Sequence, residues 1–458
     1  MESNLCKRAR RPRLSAAVFL CCALPLAAQE QKILTMGNPG PYKMIERSDW
    51  SRYDNGKYAG LVSREVRAFI NPEREEQGAL WYRGNFYVLE ETRMRRQPVA
   101  QGLDAVVPVN FRLSGKGDLF IEEDQGFPSL RGFPAFPKEA VKTGARWTAQ
   151  GVRAVDPLHQ GKIVLTPLVA EYEYQGVEDY KDTPVHRIAA KYASRHRCSD
   201  FEIKAGNFSS LQGVHDVTIL IRVSDGLPLL IRDNLDETYT WADGSTVRFR
   251  GFTLIFGENT LPLNRGTMIA NLRQTLTRPG GSSGGAPGGP GGSSGPAAAI
   301  AGGAGGPGKT ERPGPGSGGL EGLSSGGGTG TAPADGGIEL AQVPEGIKLT
   351  IRDIRFVADS DEFLAAERPR LDRIAEALKD ISGRTFLVEG HTAAAGDPST
   401  DMDLSLRRAK RMIQELVKRG VRDDQFIYKG WGSSKPVAPN ADEAGRRQNR
   451  RVEITILE

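Results

Sequence analysis

Gly390-His391-Thr392-Ala393-Ala394-Ala395-Gly396 follows the apolar run Phe386-Leu387-Val388. A Gly-bounded loop after a strand is a usual place to hold a ligand. Here three methyl groups occupy the positions where polar side chains would do that work. A second candidate is the group His186, His196 and Cys198. His196 and Cys198, two apart on a strand, share a face, but a third and fourth metal ligand are not evident. Cys198 reads as a packed thiol. A third stretch, Gly303-Ala304-Gly305-Gly306-Pro307-Gly308-Lys309-Thr310, fits the phosphate-loop pattern letter for letter. That motif needs a buried strand before it and a helix after it. Pro- and Gly-rich sequence lies on both sides here, so a nucleotide site is not expected. No His-Glu-x-x-His and no convincing carboxylate pair occurs. The chain is not read as an enzyme, and no metal or cofactor is expected.

The chain has 458 residues, of which 38% are hydrophobic, enough for several domains. Its 55 Gly and 28 Pro are concentrated in one segment, so the rest can still build cores. Lys7, Arg8, Arg10, Arg11 and Arg13 precede the apolar Leu14–Leu24, and Leu26-Ala27-Ala28 offers small residues for cleavage. Residues 1–28 therefore read as a secretory signal peptide. A lipid anchor on Cys22, after Phe19-Leu20-Cys21, is the alternative. The net charge is +5, of which residues 1–28 hold +4. A mature chain near +1 gives no argument for nucleic acid. Cleavage there would leave Cys198 as the lone cysteine, without an internal disulfide.

Residues 30–276 read as mostly strand. Trp81–Leu89, Lys162–Leu165, Glu171–Tyr174, Val217–Val223, Leu229–Arg232 and Thr246–Phe256 are aromatic or β-branched, and several alternate. A short helix is expected near Ser63–Ile70. Gly132-Phe133-Pro134-Ala135-Phe136-Pro137 is too Pro-rich for an inner strand. Two antiparallel β-rich domains, 40–155 and 156–276, follow, built as sandwiches or half-barrels, with one continuous sheet domain as the alternative. Charges interrupt the runs too often for an outer-membrane barrel. Residues 277–337 are Gly, Pro, Ser and Ala, a disordered Gly-rich linker spanning roughly 45 Å as a coil. The two halves are expected to move independently.

Residues 345–458 differ in character. Lys348–Phe356, Thr385–Glu389, Phe426–Lys429 and Val452–Leu457 read as strands. Phe363–Lys379 and Leu404–Arg419 carry apolar residues at helical spacing, with Gly420 as a terminator and Asp401 or Asp403 as a cap. This is an α+β domain with helices on one face of a sheet. The succession Phe356, Leu364, Leu371, Leu378, then Val388–Thr392, then Leu404–Ala409, continues through Gly430-Trp431-Gly432, Pro436, Asn440 and Asn449–Glu453. It resembles the OmpA-like C-terminal domain family, over about a quarter of the chain. The layout as a whole is similar to OmpA-domain envelope proteins of spirochaetes.

The resemblance implies non-covalent binding of peptidoglycan. The family holds the diaminopimelate of the stem peptide, whose end carries an amine and a carboxylate. An Asp directly after Gly-His-Thr takes the ammonium, and the Arg of Leu-Ser-x-x-Arg-Ala forks onto the carboxylate. By position the Arg is Arg408, and the Asp is replaced by Ala393. The ligand set carried over is Thr392, Ala393 and Arg408, with Asp397 or Asp401 as a replacement acid. A charge-assisted hydrogen bond contributes about 1.5–3 kcal/mol, so affinity should fall about tenfold to over a hundredfold. An ornithine-type stem, with an amine but no second carboxylate, is a different ligand. It fits awkwardly with a site that keeps the Arg. His391 is expected to order its own loop, and Arg446, Asn449 and Arg450 to fix the last turn and strand. The expected function is an exported envelope protein, periplasmic or outer-membrane associated, with a degenerate peptidoglycan site. The alternative is an envelope scaffold whose β-rich domains bind a protein or lipid partner.

Overall fold

A computed structural model describes residues 32–33, 41–76, 79–90, 100–114, 119–259, 264–277, 333–334, 337–357, 360–381, 383–394 and 397–458. The expected signal peptide, Cys22 and the Gly303–Thr310 stretch lie outside the described residues, as does nearly all of the Gly-rich segment. In chain order the strands are β1 (Tyr42–Asp54), β2 (Lys57–Glu76), β3 (Ala79–Leu89), β4 (Gln101–Ser114), β5 (Leu119–Ile121), β6 (Leu130–Arg131), β7 (Arg146–Val155), β8 (Val164–Tyr180), β9 (Thr183–Arg197), β10 (Ser210–Arg222), β11 (Pro228–Thr240), β12 (Thr246–Asn259), β13 (Pro333–Ala334), β14 (Ile338–Val343), β15 (Gly346–Arg352), β16 (Phe386–His391), β17 (Phe426–Gly430) and β18 (Arg451–Leu457). The α-helices are α1 (Asp200–Lys204), α2 (Arg265–Thr277), α3 (Arg368–Lys379), α4 (Pro398–Lys418) and α5 (Glu443–Asn449). Among the described residues no helix is long and apolar enough to cross a membrane.

The described residues form two compact units. One holds Trp50–Ala59 and Pro128–Glu258; the other holds the preceding part of β1, Gly60–Phe127 and Asn259–Glu458. This division differs from the expected domains 40–155 and 156–276. The expected boundary falls inside the β7–β8 hairpin, where Val155 pairs with Val164. Pro-rich residues 128–137 begin the first unit rather than separating two.

In the first unit β6 to β12 follow one another as an antiparallel meander. The reason is strict alternation. Along β8, Val164, Thr166, Leu168, Ala170 and Tyr172 are buried, while Leu165, Pro167, Val169 and Glu171 are exposed. Lys181 and Asp182, both at positive φ, close the β8–β9 hairpin, as a twisted two-residue turn requires. The buried face carries two apolar clusters, one around Ile188, Val217 and Ile219, the other around Phe208, Leu211 and Phe249. The same face also holds a buried ionic group. Arg153 forks onto Glu237 at 2.6 and 2.7 Å. His215 reaches Asp233 through Nδ1 at 2.8 Å and Glu237 through Nε2 at 2.9 Å. Tyr239 donates to Glu237 and Tyr192 to Asp233.

In the second unit the sheet order is β14-β15-β18-β16-β17, antiparallel except for the parallel β16–β17 pair. Helices α3 and α4 cover one face, with Leu371, Ile374, Leu378, Ala409, Ile413 and Leu416 packed on Leu349, Val388 and Ile454. The other face is covered as well. Phe69, Tyr87, Leu89 and Leu103 pack on Leu387, Ile427 and Leu457, and β4 pairs in parallel with β17. Residues 63–70 are therefore strand rather than helix: β2 is buried on both sides, with Val66, Ala68 and Ile70 in a cluster of their own.

Helix α2, ahead of the Gly-rich segment, places Leu272 and Leu276 in the same core as α3. Arg373 donates to the Leu276 carbonyl at 3.1 Å, and Arg265 to Glu458 at 2.6 Å. Both ends of the segment thus belong to one unit, which overturns its expected role as a tether between independent halves. The segment Gly60–Phe127 likewise belongs with the C-terminal residues.

Gly390 is fixed by a close approach. A Cβ there would stand 2.1 Å from the Ser405 carbonyl oxygen of α4. Gly390→Ala is expected to destabilise the unit by about 3 kcal/mol through forced displacement of α4, as read from denaturant midpoints.

Candidate functional site

Helix α4 starts at Pro398, ahead of the expected Leu404, and its N-cap is Asp397. Proline suits the first helical position because its φ is preset and no amide is lost. Asp397 accepts from the Ser399 amide at 3.2 Å and from the Ser399 and Thr400 hydroxyls. Asp403 pairs with Arg407 at 2.9 Å. Neither Asp401 nor Asp403 is therefore the cap. Asp401 is 5% exposed, and its Oδ2 has no hydrogen-bond partner.

Asp401, Ser405 and Arg408 follow at i, i+4 and i+7, so they line one helix face. Ser405 ties that face to the neighbouring loop: its Oγ accepts from the Gly432 amide at 2.9 Å and donates to the Met402 carbonyl at 2.7 Å. Gly432, at φ +53, stands so close to α4 that a Cβ would meet the Met402 nitrogen at 3.0 Å. Its carbonyl accepts from the Thr392 amide at 2.9 Å. Thr392 and Asp401 thus flank the same glycine.

The guanidinium of Arg408 lies over the Phe356 ring, 4.5 Å from its centroid. Its Nε donates to the Ser360 carbonyl at 3.4 Å. Phe356 and Ser360 position Arg408, and sequence reasoning gave neither that role. Ala393 is buried, and the Ala394 amide donates to Asn440 Oδ1 at 3.2 Å. Asn440 is held in turn by Asn449 Nδ2 at 2.9 Å. Asn449 also caps the Val437 and Ala438 amides, which is the expected fixing of the last turn. Ala395 and Gly396 lie outside the described residues.

The structure thus brings Thr392 and Asp401 to Gly432, with Ala393 next to Thr392 in the chain and Arg408 two helical turns along. Asp397 is exposed and engaged as a cap. Thr392 Oγ1 and Asp401 Oδ2 are both buried without a protein partner.

His391 does not order its loop as expected. Its ring is buried, neither nitrogen makes a hydrogen bond, and Glu453 stands 3.9 Å away. Burial, with Arg451 adding repulsion, pushes its pKa down to about 3. An unfolded histidine titrates near 6.5, so the unfolded chain binds more protons between pH 6.5 and 3. Stability should fall as pH drops through that window, by about 3 kcal/mol at pH 4 from this group. His391→Leu should flatten the slope, read from denaturant midpoints at pH 7 and pH 4.

Residues 355–450 match the OmpA family. The C-terminal domain belongs to the OmpA family. The peptidoglycan-binding protein ArfA of Mycobacterium tuberculosis is 37% identical over 103 residues, 22% of this chain and 32% of ArfA. Outer membrane protein A of Bordetella avium is 33% identical over 105 residues, 23% of this chain and 54% of that protein. A solved outer-membrane protein of Borrelia burgdorferi is 36% identical, covering 27% of this chain and all of that one, with a TM-score of 0.23. The chain spans about a third of the length of ArfA. These two relatives are named for peptidoglycan binding and for the outer membrane.

Proposed function

We propose that the chain is an exported envelope protein whose OmpA-family domain associates non-covalently, and weakly, with peptidoglycan. The reading rests on one juxtaposition: the Thr392–Ala394 loop and the Asp401–Arg408 face of α4 meet at Gly432. Arg408, laid on Phe356, takes the carboxylate of a diaminopimelate stem. Ala393 supplies no carboxylate for the ammonium, and Asp397 is engaged as a cap. Asp401 is the remaining acid on that face. Its buried side chain makes it a poor substitute for an acid on the loop. No bond-making step is part of this role, so the protein acts as a binding and structural component.

Co-sedimentation of the full chain with purified sacculi tests the reading. The expected result is weak retention, raised at least tenfold in apparent affinity by Ala393→Asp. Tight retention that survives Arg408→Ala would remove the basis for this site.

A second reading, an envelope scaffold that binds a lipid or protein partner, is favoured by one observation in the first unit. A cleft of about 460 Å³ is walled by Leu158, Ile203, Trp241 and Val247, with Arg52 and Asp243 also lining it. That mixture suits a ligand with an apolar body and a charged end. Native mass spectrometry of the purified protein should then reveal a bound lipid. A ligand-free spectrum, with no uptake on adding detergent-solubilised lipid, would count against it.

A further inference from the structure

The meander brings together three side chains of different donor chemistry at the end of β9. His196 lies near its last residue, in the phase of the buried Tyr192 and Ser194. Cys198 follows one residue beyond the strand, still aligned, since its amide donates to the Ser209 carbonyl at 3.0 Å. Ser199 then turns the chain into α1 through a capping box with Glu202. That box folds the Glu202 side chain back over the strand end. Its Oε2 accepts from the Ser199 amide and hydroxyl, each at 2.7 Å, and neither of these bonds uses Oε1.

Ligand atoms of His196, Cys198 and Glu202 all lie within 4.8 Å of one another. The His196 Nε2 atom is inaccessible to solvent and has no hydrogen-bond partner. An imidazole nitrogen in that condition is costly unless something occupies its lone pair or takes its proton. Cys198 is a free buried cysteine. His186 is not part of the group, since its Nδ1 is engaged with the Tyr174 hydroxyl at 3.0 Å.

We infer that His196, Cys198 and Glu202 form a zinc-binding site with its fourth position open to solvent. One nitrogen, one sulfur and one oxygen donor suit a borderline-soft ion that accepts all three. Around a tetrahedral zinc, donors at about 2.0–2.3 Å stand about 3.3–3.8 Å apart. Closing from the observed spacing moves each side-chain atom by about 1 Å or less, within reach of small χ adjustments. Zinc binding releases the thiol proton to solvent as the Zn–S bond forms, because the ligand is the thiolate. Glu202 acts twice, as the cap of α1 and as a ligand, which couples metal occupancy to the α1 turn.

The test uses the full chain with Cys6, Cys21 and Cys22 changed to Ser, so that Cys198 is the single thiol. Titration of the reduced protein with Co²⁺ should give one equivalent of a thiolate-to-cobalt charge-transfer band. The accompanying visible bands should have the intensity of four-coordination. Zn²⁺ should displace that signal stoichiometrically. Cys198→Ala should abolish the charge-transfer band, and His196→Ala or Glu202→Gln should weaken Zn²⁺ binding at least tenfold. Absence of the band in this protein, in which His196, Cys198 and Glu202 are all intact, overturns the inference. So does Zn²⁺ uptake that is unchanged in Cys198→Ala with a native far-ultraviolet spectrum.

Discussion

Arg153→Met should destabilise the first unit by about 3–5 kcal/mol, the cost of removing one partner from a buried ion pair. Glu237 is 2% exposed, and both its oxygens accept from Arg153. Burial alone would raise its pKa, but Arg153 and His215 hold the carboxylate well below its usual range. Without the guanidinium, Glu237 keeps only His215 and the Tyr239 hydroxyl. His215 is itself shared with Asp233. Burial opposes charge on this ring, yet hydrogen bonds to Asp233 and Glu237 raise its pKa. Its contribution is therefore fully present below the unfolded value near 6.5 and is lost as pH rises through the raised folded value. The Arg153→Met defect should deepen as the medium becomes alkaline. Replacing Arg153 and Glu237 together by apolar residues should recover much of the loss, because no unpaired charge remains. Chemical denaturation of the two variants against the parent separates these outcomes. Equal destabilisation by the single and the double change would mean that packing, not charge, governs the site.

Ala393→Asp is the second large effect, and it gains rather than loses. A carboxylate after Thr392 supplies the missing acceptor for an ammonium, worth about 1.5–3 kcal/mol, or about tenfold to over a hundredfold in affinity. The Ala394 amide is already held by Asn440, so the loop is anchored beside the new side chain. The gain should require Arg408, because a ligand end with two opposite charges is held firmly only when both are engaged. Arg408→Ala in the Ala393→Asp background should return the protein to parental weakness or below. That coupling distinguishes a two-point grip from general charge attraction.

The second unit's C-terminal residues were largely legible in the sequence. Leu371, Ile374, Ala375 and Leu378 recur at helical spacing, and they are the buried face of α3. Strand alternation also worked where one face is exposed, as in β12, whose Val247 and Phe249 point inward. It failed where both faces are covered. In β2 Glu65 to Ile70 are all buried, so no period-two signal survives and the stretch mimics a short helix. The start of α4 was missed because Pro398 reads as a breaker when it is the first helical residue. Helix α2 was missed because few of its residues are buried, with Leu272 and Leu276 the only two in the core.

Convergence across the chain was beyond the sequence. Arg153 and Glu237 lie on β7 and β11, and only the intervening strand registers bring them together. The same holds for Gly60–Phe127, whose segment closes the second face of a sheet formed far along the chain. Within the candidate site the order of residues was readable, but the division of labour among the acids was not. Whether Asp397, Asp401 or Asp403 caps α4 depends on where the helix begins.

The most direct measurement is calorimetric binding of a diaminopimelate-containing stem peptide to the full chain, as a cycle over Ala393→Asp, Arg408→Ala and the double variant. The account predicts weak parental binding, at least a tenfold gain for Ala393→Asp, and loss of that gain when Arg408 is also removed. Tight binding by the parent protein that neither change alters would contradict it.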